Sequence, residues 1–282
     1  MQTAALPNTC NAVDDKHNSL NILCTALLAL TLATTVLTVS AATADTILSD
    51  QPGFTDSSDV VGRGWFQIET SIAGEHNRRD GVRDRTLSTP TLLRLGVTNS
   101  LELRLGSDGR VVNTTRTDST SETQRGAGDL SLGMKWHISD ALGTRPSIGV
   151  ITQLDVDSGS PQFRGNGVRP TLHMPFEWTL PNAMSLNVMP GLVWDKKPTG
   201  ERFASALLGV QLGKSMSDRL AIFTEVALPQ IARAENGGST MTIGAGLSYL
   251  LTNDTQVDTA FARGLNRNTV DTSWTVGLST RF

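Results

Sequence analysis

The sequence has little of what many protein classes depend on. Its 282 residues include two cysteines, one tyrosine and five tryptophans, and the formal net charge is only −3 at pH 7. Cys10 and Cys24 both fall in the first 24 residues, so the rest of the chain has no thiol for a disulfide, a metal site or a nucleophile. The balanced charge gives no basic excess that would favour nucleic acid as a partner.

Long apolar runs are also scarce, which excludes a helical membrane protein with several spanning helices. One run occupies residues 22–39 and leads into Ala42-Thr43-Ala44, a small-x-small pattern typical of signal-peptide cleavage. We therefore predict a cleavable signal peptide over residues 1–44. A single transmembrane anchor is the alternative, although the threonines of the run disfavour it. The acidic pair before Lys16 is atypical of a signal's basic start, and the true start codon stays open.

What the sequence does have is alternation. In residues 271–282 every second side chain is apolar or Thr, and the residues between them are polar, charged or Gly. Successive side chains of an extended chain point to opposite faces, so this is a strand with one apolar and one polar face. The strand runs to Phe282, although chain ends are usually loose. The pattern recurs back to about Trp65 and defines twelve candidate strands.

The outward positions of these strands carry no charge, and the opposite parity carries nearly all of it. Arg or Lys on a lipid-facing wall costs about 2–4 kcal/mol at the bilayer midplane, so this segregation predicts lipid on one side and a lumen on the other. The lumen-facing candidates are Glu69, Arg94, Glu102, Arg104, Asp129, Lys135, Arg169, Glu177, Arg219 and Glu225. Their charges either set an ion preference or pair with one another and stiffen the wall.

The connections support the same topology. Short ones follow even-numbered strands, at residues 98–100, 139–144, 180–182, 214–218 and 251–254. Longer polar ones follow odd-numbered strands, at residues 75–85, 106–126, 157–167, 195–201, 229–239 and 264–270. Outer-membrane barrels have short periplasmic turns and longer outer loops. We predict an all-β protein, a transmembrane antiparallel meander barrel of twelve strands over residues 65–282. An irregular segment, residues 45–64, precedes it in the periplasm or the lumen.

Five prolines fall within the predicted strands. They are Pro90, Pro146, Pro170, Pro175 and Pro190. A closed barrel has no free edge, and each proline removes a donor from the hydrogen-bond ladder. We expect bulges or strand ends at these positions, with Pro190 the most difficult to place.

Four motifs resemble a known family. They are Asp50-Gln-Pro-Gly-Phe-Thr-Asp-Ser ahead of a Gly-x-x-Gln-x-Glu strand, the hairpin over residues 91–104, Gly128-Asp-Leu-Ser-Leu-Gly-Met-Lys, and the terminal Gly-Leu-Ser-Thr-Arg-Phe. Together they are similar to the Gram-negative outer-membrane transporter family labelled as the meta-pathway of phenol degradation. The resemblance covers most of the chain after the signal. It implies transport of small, even aromatic, molecules, and it brings no catalytic residues. The terminal Phe282 resembles the signal read by the barrel-assembly machinery.

Enzymatic chemistry finds little support. Some twelve-stranded barrels are lipases with an outward Ser–His pair, but parity places His137 and His173 inside, and no Gly-x-Ser-x-Gly elbow is present. Asp155 and Asp157 have the spacing of any polar strand end, so no metal or other cofactor is predicted. We therefore expect a non-enzymatic outer-membrane channel for passive passage of small solutes such as aromatic or organic acids. The predicted partners are membrane lipid, the assembly machinery and the solute. The alternatives are a non-conducting structural or adhesive barrel and, third, a barrel-embedded hydrolase.

Overall fold

The computed structural model describes residues 46–282, so the predicted signal peptide lies outside the described residues. No helix in this part of the chain is long and apolar enough to cross a membrane. The elements are β1 (Phe66–Arg79), β2 (Val82–Ser88), β3 (Thr91–Gly96), β4 (Leu101–Ser107), β5 (Arg110–Arg116), β6 (Ser121–Ala127), β7 (Leu130–Ser139), β8 (Ser147–Val156), β9 (Arg169–His173), β10 (Phe176–Leu180), β11 (Met184–Lys196), β12 (Arg202–Ser215), β13 (Leu220–Ile231), a 3₁₀ turn (Ala234–Asn236), β14 (Thr240–Thr252), β15 (Thr255–Gly264) and β16 (Thr272–Arg281).

These strands form a closed antiparallel barrel with a wall of twelve strands. Four wall strands are each interrupted once, so each consists of two consecutive elements. These pairs are β2 with β3, β4 with β5, β6 with β7, and β9 with β10. Every other wall strand is continuous. The last strand pairs with the first in a register that joins Gln67 to Arg281 and His76 to Thr272. The backbones of Phe66 and Phe282 also exchange two hydrogen bonds, of 3.1 and 2.8 Å. The predicted all-β, twelve-stranded barrel is confirmed.

The barrel is apolar outside and polar inside. The outward side chains of Ile72, Leu132 and Val276 are 52%, 53% and 55% exposed, whereas Arg94 and Lys135 in the interior are fully buried. A water-soluble domain has the opposite distribution, because apolar burial is its main driving force. An exposed apolar band around a closed wall is the surface that lipid requires, and the protein is located in the outer membrane.

The prolines are accommodated in two ways. Pro90 and Pro175 lie at interruptions, Pro146 directly precedes β8, and Pro170 is the second residue of β9. Pro190 contradicts the expected bulge, because β11 continues through it in unbroken register with β12. The Pro190 carbonyl accepts a hydrogen bond from Met174 N at 3.0 Å. In an antiparallel ladder the N–H and C=O of one residue point to the same neighbouring strand. The N–H that Pro190 lacks would therefore point to the break between β9 and β10, just before Pro175, where the ladder is already interrupted.

Two predicted outer loops are wrong. Residues 75–85 are mostly strand, with a tight turn at Asp80 and Gly81, both at positive φ (50° and 81°). Residues 106–126 contain nearly all of a second hairpin, which is formed by β5 and β6. These strands extend beyond the apolar band, and polar residues occur on both of their faces. Apolar alternation cannot mark such strands, so the sequence pattern indicated loops.

Candidate functional site: the lumen and its N-terminal segment

The lumen contains part of the chain itself. Residues 46–64, here called the N-terminal segment, have no strand or helix, yet many of their groups contact the inner wall. Ile47 N donates to Asn253 O at 2.7 Å, in the short turn between β14 and β15, and Gly64 N donates to Gly96 O at 2.9 Å. The segment therefore enters and leaves at the barrel end that carries the short turns. A Cβ at Gly96 would collide with the Gly62 carbonyl, so only glycine permits this close crossing.

Asp50 is the main anchor of the segment. Its carboxylate accepts hydrogen bonds from Lys135 Nζ at 2.7 and 2.8 Å and from Arg104 Nη1 at 2.5 Å. Arg94 Nη1 lies 3.4 Å from the same carboxylate. Burial alone would raise the pKa of Asp50, but the charges of Arg94, Lys135 and Arg104 outweigh it and hold that pKa well below its ordinary value. The seated carboxylate is therefore charged at neutral pH.

Two wall carboxylates complete what we call the charge cluster, namely Asp50, Glu69, Arg94, Glu102, Arg104 and Lys135. Arg94 donates to Glu69 at 2.8 Å and, through two nitrogens, to Glu102 at 2.9 Å each. Three carboxylates thus face three cations in a nearly water-free interior. Such a cluster is stable only when every charge is paired. Asp56 of the segment also pairs with Arg104 at 3.0 Å, so removing the segment, and with it both Asp50 and Asp56, would leave three buried cations facing two carboxylates.

The rest of the segment is held by two further carboxylates. Glu225 on β13 accepts hydrogen bonds from Phe54 N at 2.9 Å and from Thr55 N at 2.8 Å. Glu177 on β10 accepts one from Ser58 N at 2.8 Å. These hydrogen bonds satisfy backbone amides that would otherwise be buried without partners. The two wall acids therefore hold the irregular backbone of the segment in place.

Not every residue predicted to face the lumen takes part. Asp129 lies at the opposite end, where it accepts hydrogen bonds from the backbone of Gly159 and Gly165 and fixes the loop after β8. Arg169 pairs with Asp155 at 2.7 Å and is partly exposed. The lumenal placement of Arg219 is wrong. Because β13 begins only at Leu220, Arg219 lies in the exposed turn after β12.

The terminal residue lies at the rim where the segment enters. Phe282 is 65% exposed, and its ring stacks on that of Phe66 with centroids 6.5 Å apart. Arg281, next to it, lies over the ring of Trp65 at 4.4 Å and pairs with Asp254 at 2.7 Å. The last strand thus ends in an accessible aromatic side chain on a well-anchored backbone.

Space remains on the side of the lumen away from the charge cluster. A cavity of about 460 Å³ lies among β13–β16 and β1, lined by small and apolar groups such as Ala73, Ala227 and Ala260. A more polar cavity of about 230 Å³ lies nearer the short turns and includes Asn187 and Gln256. Both cavities are lined by Pro52, Gly53 and Phe223.

Sequence analysis missed the residues that the segment contributes. Asp50, Phe54, Thr55 and Ser58 lie in a stretch without periodicity, and their partners are up to 171 positions away in the chain. One signal was available. The Asp50-Gln-Pro-Gly-Phe motif carried the family resemblance, and the structure places it at the deepest part of the segment.

Comparison with known proteins agrees with this architecture. A family profile described as "Putative MetA-pathway of phenol degradation" matches residues 49–282. The chain belongs to this family. The match begins inside the N-terminal segment, so the segment and the barrel are both family features. None of the curated proteins matches the sequence.

Two solved structures share the fold. The COG4313 outer-membrane channel from Pseudomonas putida F1 has a TM-score of 0.60 at 13% identity, over 82% of this chain and 99% of that one. The β-domain of the Bordetella autotransporter BrkA has a TM-score of 0.50 at 10% identity, over 77% and 98%. At these identities the two likenesses establish the fold alone.

Proposed function

We propose that this protein is an outer-membrane channel for passive passage of small solutes, and that the N-terminal segment is its resident constriction. The observation that carries the proposal is the pair of cavities that share Gly53 and Phe223 in their linings. A barrel built only as a structural wall has no need of an open interior. The path runs from the outer mouth through the apolar cavity, past Phe223, and through the polar cavity to the periplasm.

The lining supports a solute class. The larger cavity combines alanines and glycines with the rings of Phe54 and Phe223, and Glu225 lies at its base. Ligand sites of 300–1,000 Å³ with mostly apolar walls suit compact organic molecules. We therefore propose small organic solutes, including aromatic ones, as the cargo. Organic acids are less favoured at this point, because an anion would meet the Glu225 carboxylate.

A non-enzymatic role is part of the proposal. His137 Nδ1 lies 3.2 Å from Asp59 and His173 Nε2 lies 3.5 Å from Asp56. Both histidines therefore contact the N-terminal segment from inside the wall, whereas a barrel hydrolase needs an outward Ser–His pair. The alternative of a non-conducting barrel is supported by the contacts that hold the segment in the lumen, and conductance distinguishes the two.

A reversible cross-link tests the channel and the role of the segment together. Ser58 Oγ and Ser147 Oγ are 2.7 Å apart, and residues 46–282 contain no cysteine. The double variant Ser58→Cys/Ser147→Cys therefore places two thiols within reach of a disulfide. We expect oxidation to leave planar-bilayer conductance close to its reduced value, because the disulfide fixes the segment in the position that its hydrogen bonds already hold, whereas a large change on oxidation would show that the segment moves during conduction. Either single-cysteine variant is the control. No conductance in the reduced form, together with no solute flux into liposomes, would reject the channel.

We also propose that the last strand is the signal for barrel assembly. Its aromatic terminus is exposed and follows a strand of strict alternation. Deletion of Phe282 should lower the yield of folded protein in the outer membrane, whereas Phe282→Tyr, which keeps the ring, should not. An unchanged yield after deletion would contradict this role.

A further inference from the structure

The outer end of the barrel carries a sheet whose two faces differ in charge. β2, β5 and β6 continue from the upper part of β1 into a four-stranded sheet beyond the apolar band. β1 is continuous, and side chains alternate between its two faces. The side chains of Ile72, His76 and Arg78 therefore all point to the outside of the barrel. The register then assigns each residue of the neighbouring strands to one face.

The outward face collects the arginines. Pairing joins Arg78 to Arg83, Arg83 to Arg116, and His76 to Arg85. Val112 pairs with Arg125 on the same face, and Arg110 pairs with Ala127. The arginine face therefore consists of six residues, Arg78, Arg83, Arg85, Arg110, Arg116 and Arg125, all exposed.

No acidic residue of the four strands lies on this face. Their acids, Glu69, Glu75, Asp84 and Glu122, have the opposite parity and point to the inner side. Within residues 46–282, none of the six arginine side chains forms an ion pair with a carboxylate. Like charges directly opposite each other destabilise a sheet, and three arginines stand in one cross-strand row here. An anion that lies against such a row relieves this repulsion.

The position of the arginine face indicates the source of the anion. The ring of Trp274 covers Gly74 on the outward side, at the interface depth that tryptophan favours. Arg78 follows four residues later, about 13 Å further along the strand. The face therefore begins where the hydrocarbon ends and points sideways, toward the lipid headgroups rather than the pore. Arginine binds phosphate with two parallel hydrogen bonds.

We propose that the arginine face binds phosphate groups of the phosphorylated glycolipid that forms the outer leaflet. It docks the barrel against that lipid and balances the charge of the outer sheet. The contribution is electrostatic, so it weakens as salt rises. This role is separate from the lumen, and it stands whether or not the barrel conducts.

The test uses the full barrel in detergent with a fluorescent bisphosphorylated lipid A, its dephosphorylated form and inorganic phosphate. We expect wild type to bind the phosphorylated lipid at least about tenfold more tightly than the dephosphorylated one, since each basic residue at a charged membrane surface contributes several-fold. Arg78→Gln/Arg83→Gln/Arg116→Gln should weaken that binding at least about tenfold. Arg164→Gln/Arg233→Gln/Arg267→Gln removes the same charge from other exposed outer sites and should change binding less than about twofold.

Several results would overturn the proposal. One is equal binding of the two lipids, and a second is wild-type affinity in the first triple variant. A third is an equal loss in both triple variants, which would indicate general charge attraction. Competition by inorganic phosphate at concentrations comparable to the lipid would identify a free-phosphate site instead. Heat-modifiable migration confirms that each variant is folded.

Discussion

The two sides of the lumen are built from different residues and make different contributions. Around β3, β4 and β7 the interior is filled by the charge cluster and the part of the segment that it holds. Across β13–β16 many of the inward positions that line the cavity are Gly, Ala, Ser or Thr, and a cavity remains. One side carries the buried ion pairs that anchor the segment, and the other holds it through Glu225 and leaves room beside it. A constriction can therefore be firmly anchored without filling the lumen.

The difference also separates stability from permeation. Buried ion pairs with full hydrogen bonding are costly to break, because the remaining charge has no solvent. Glycine and alanine contribute little packing, but they set the width of the path. Substitutions on the two sides should accordingly give different phenotypes, release of the segment on one side and altered flux on the other.

The largest effect is expected from Lys135→Met. Lys135 is fully buried and binds both Asp50 oxygens, and loss of one partner of a buried pair costs about 3–5 kcal/mol. We expect the segment to leave its seat, with higher single-channel conductance and rapid proteolysis of residues 46–64 in the purified protein. Lys197→Met is the matched control, because its partly exposed pair with Glu201 in a turn contributes only about 0.2–1 kcal/mol. A segment that stays protease-resistant in Lys135→Met would remove the distinction between the two sides.

A smaller effect is expected on the open side. Phe223 lines both cavities, and its ring lies against Gly246, where a Cβ would meet it. Phe223→Ala should raise conductance on the order of twofold by widening the narrow point, with the segment still protected. Phe203→Ala is the control, since Phe203 lines a separate cavity near the outer end. A lower conductance, or a freed segment, would show that Phe223 acts as an anchor rather than as part of the path.

Much of this arrangement was predictable from local pattern. Alternation fixes parity, so the inward placement of Glu69, Arg94 and Lys135 followed from the apolar residues on either side of them. Alternation also gave the number of strands, and loop lengths gave the end at which the chain turns back. Arg219 was misplaced because parity does not say where a strand begins.

The seat of the N-terminal segment could not be predicted in this way. Asp50 and Lys135 are 85 positions apart, and nothing local in either stretch points to the other. The fold supplies this information, because only closure of the wall brings β3, β4 and β7 around one carboxylate. The outer sheet has a similar origin. Its strands have polar residues on both faces, so the segregation of arginine emerges only once the register is known.

The smallest effect concerns pH on the anchored side. The seated Asp50 has a pKa well below its ordinary value, which is about 3.9 in an unstructured chain. A depressed pKa means that ionisation favours the seated state. Its contribution is complete above about pH 4 and declines as pH falls toward the lower, seated pKa. Protease protection of the segment should therefore be constant from about pH 8 to 5 and weaken only below about pH 4. Asp50→Asn isolates this carboxylate from other acids that titrate nearby. Its segment should be less protected at every pH, and the difference from wild type should shrink as the solution becomes more acidic. A difference that grows toward acid would reverse the sign and show that the segment is held by contacts other than the charge of Asp50.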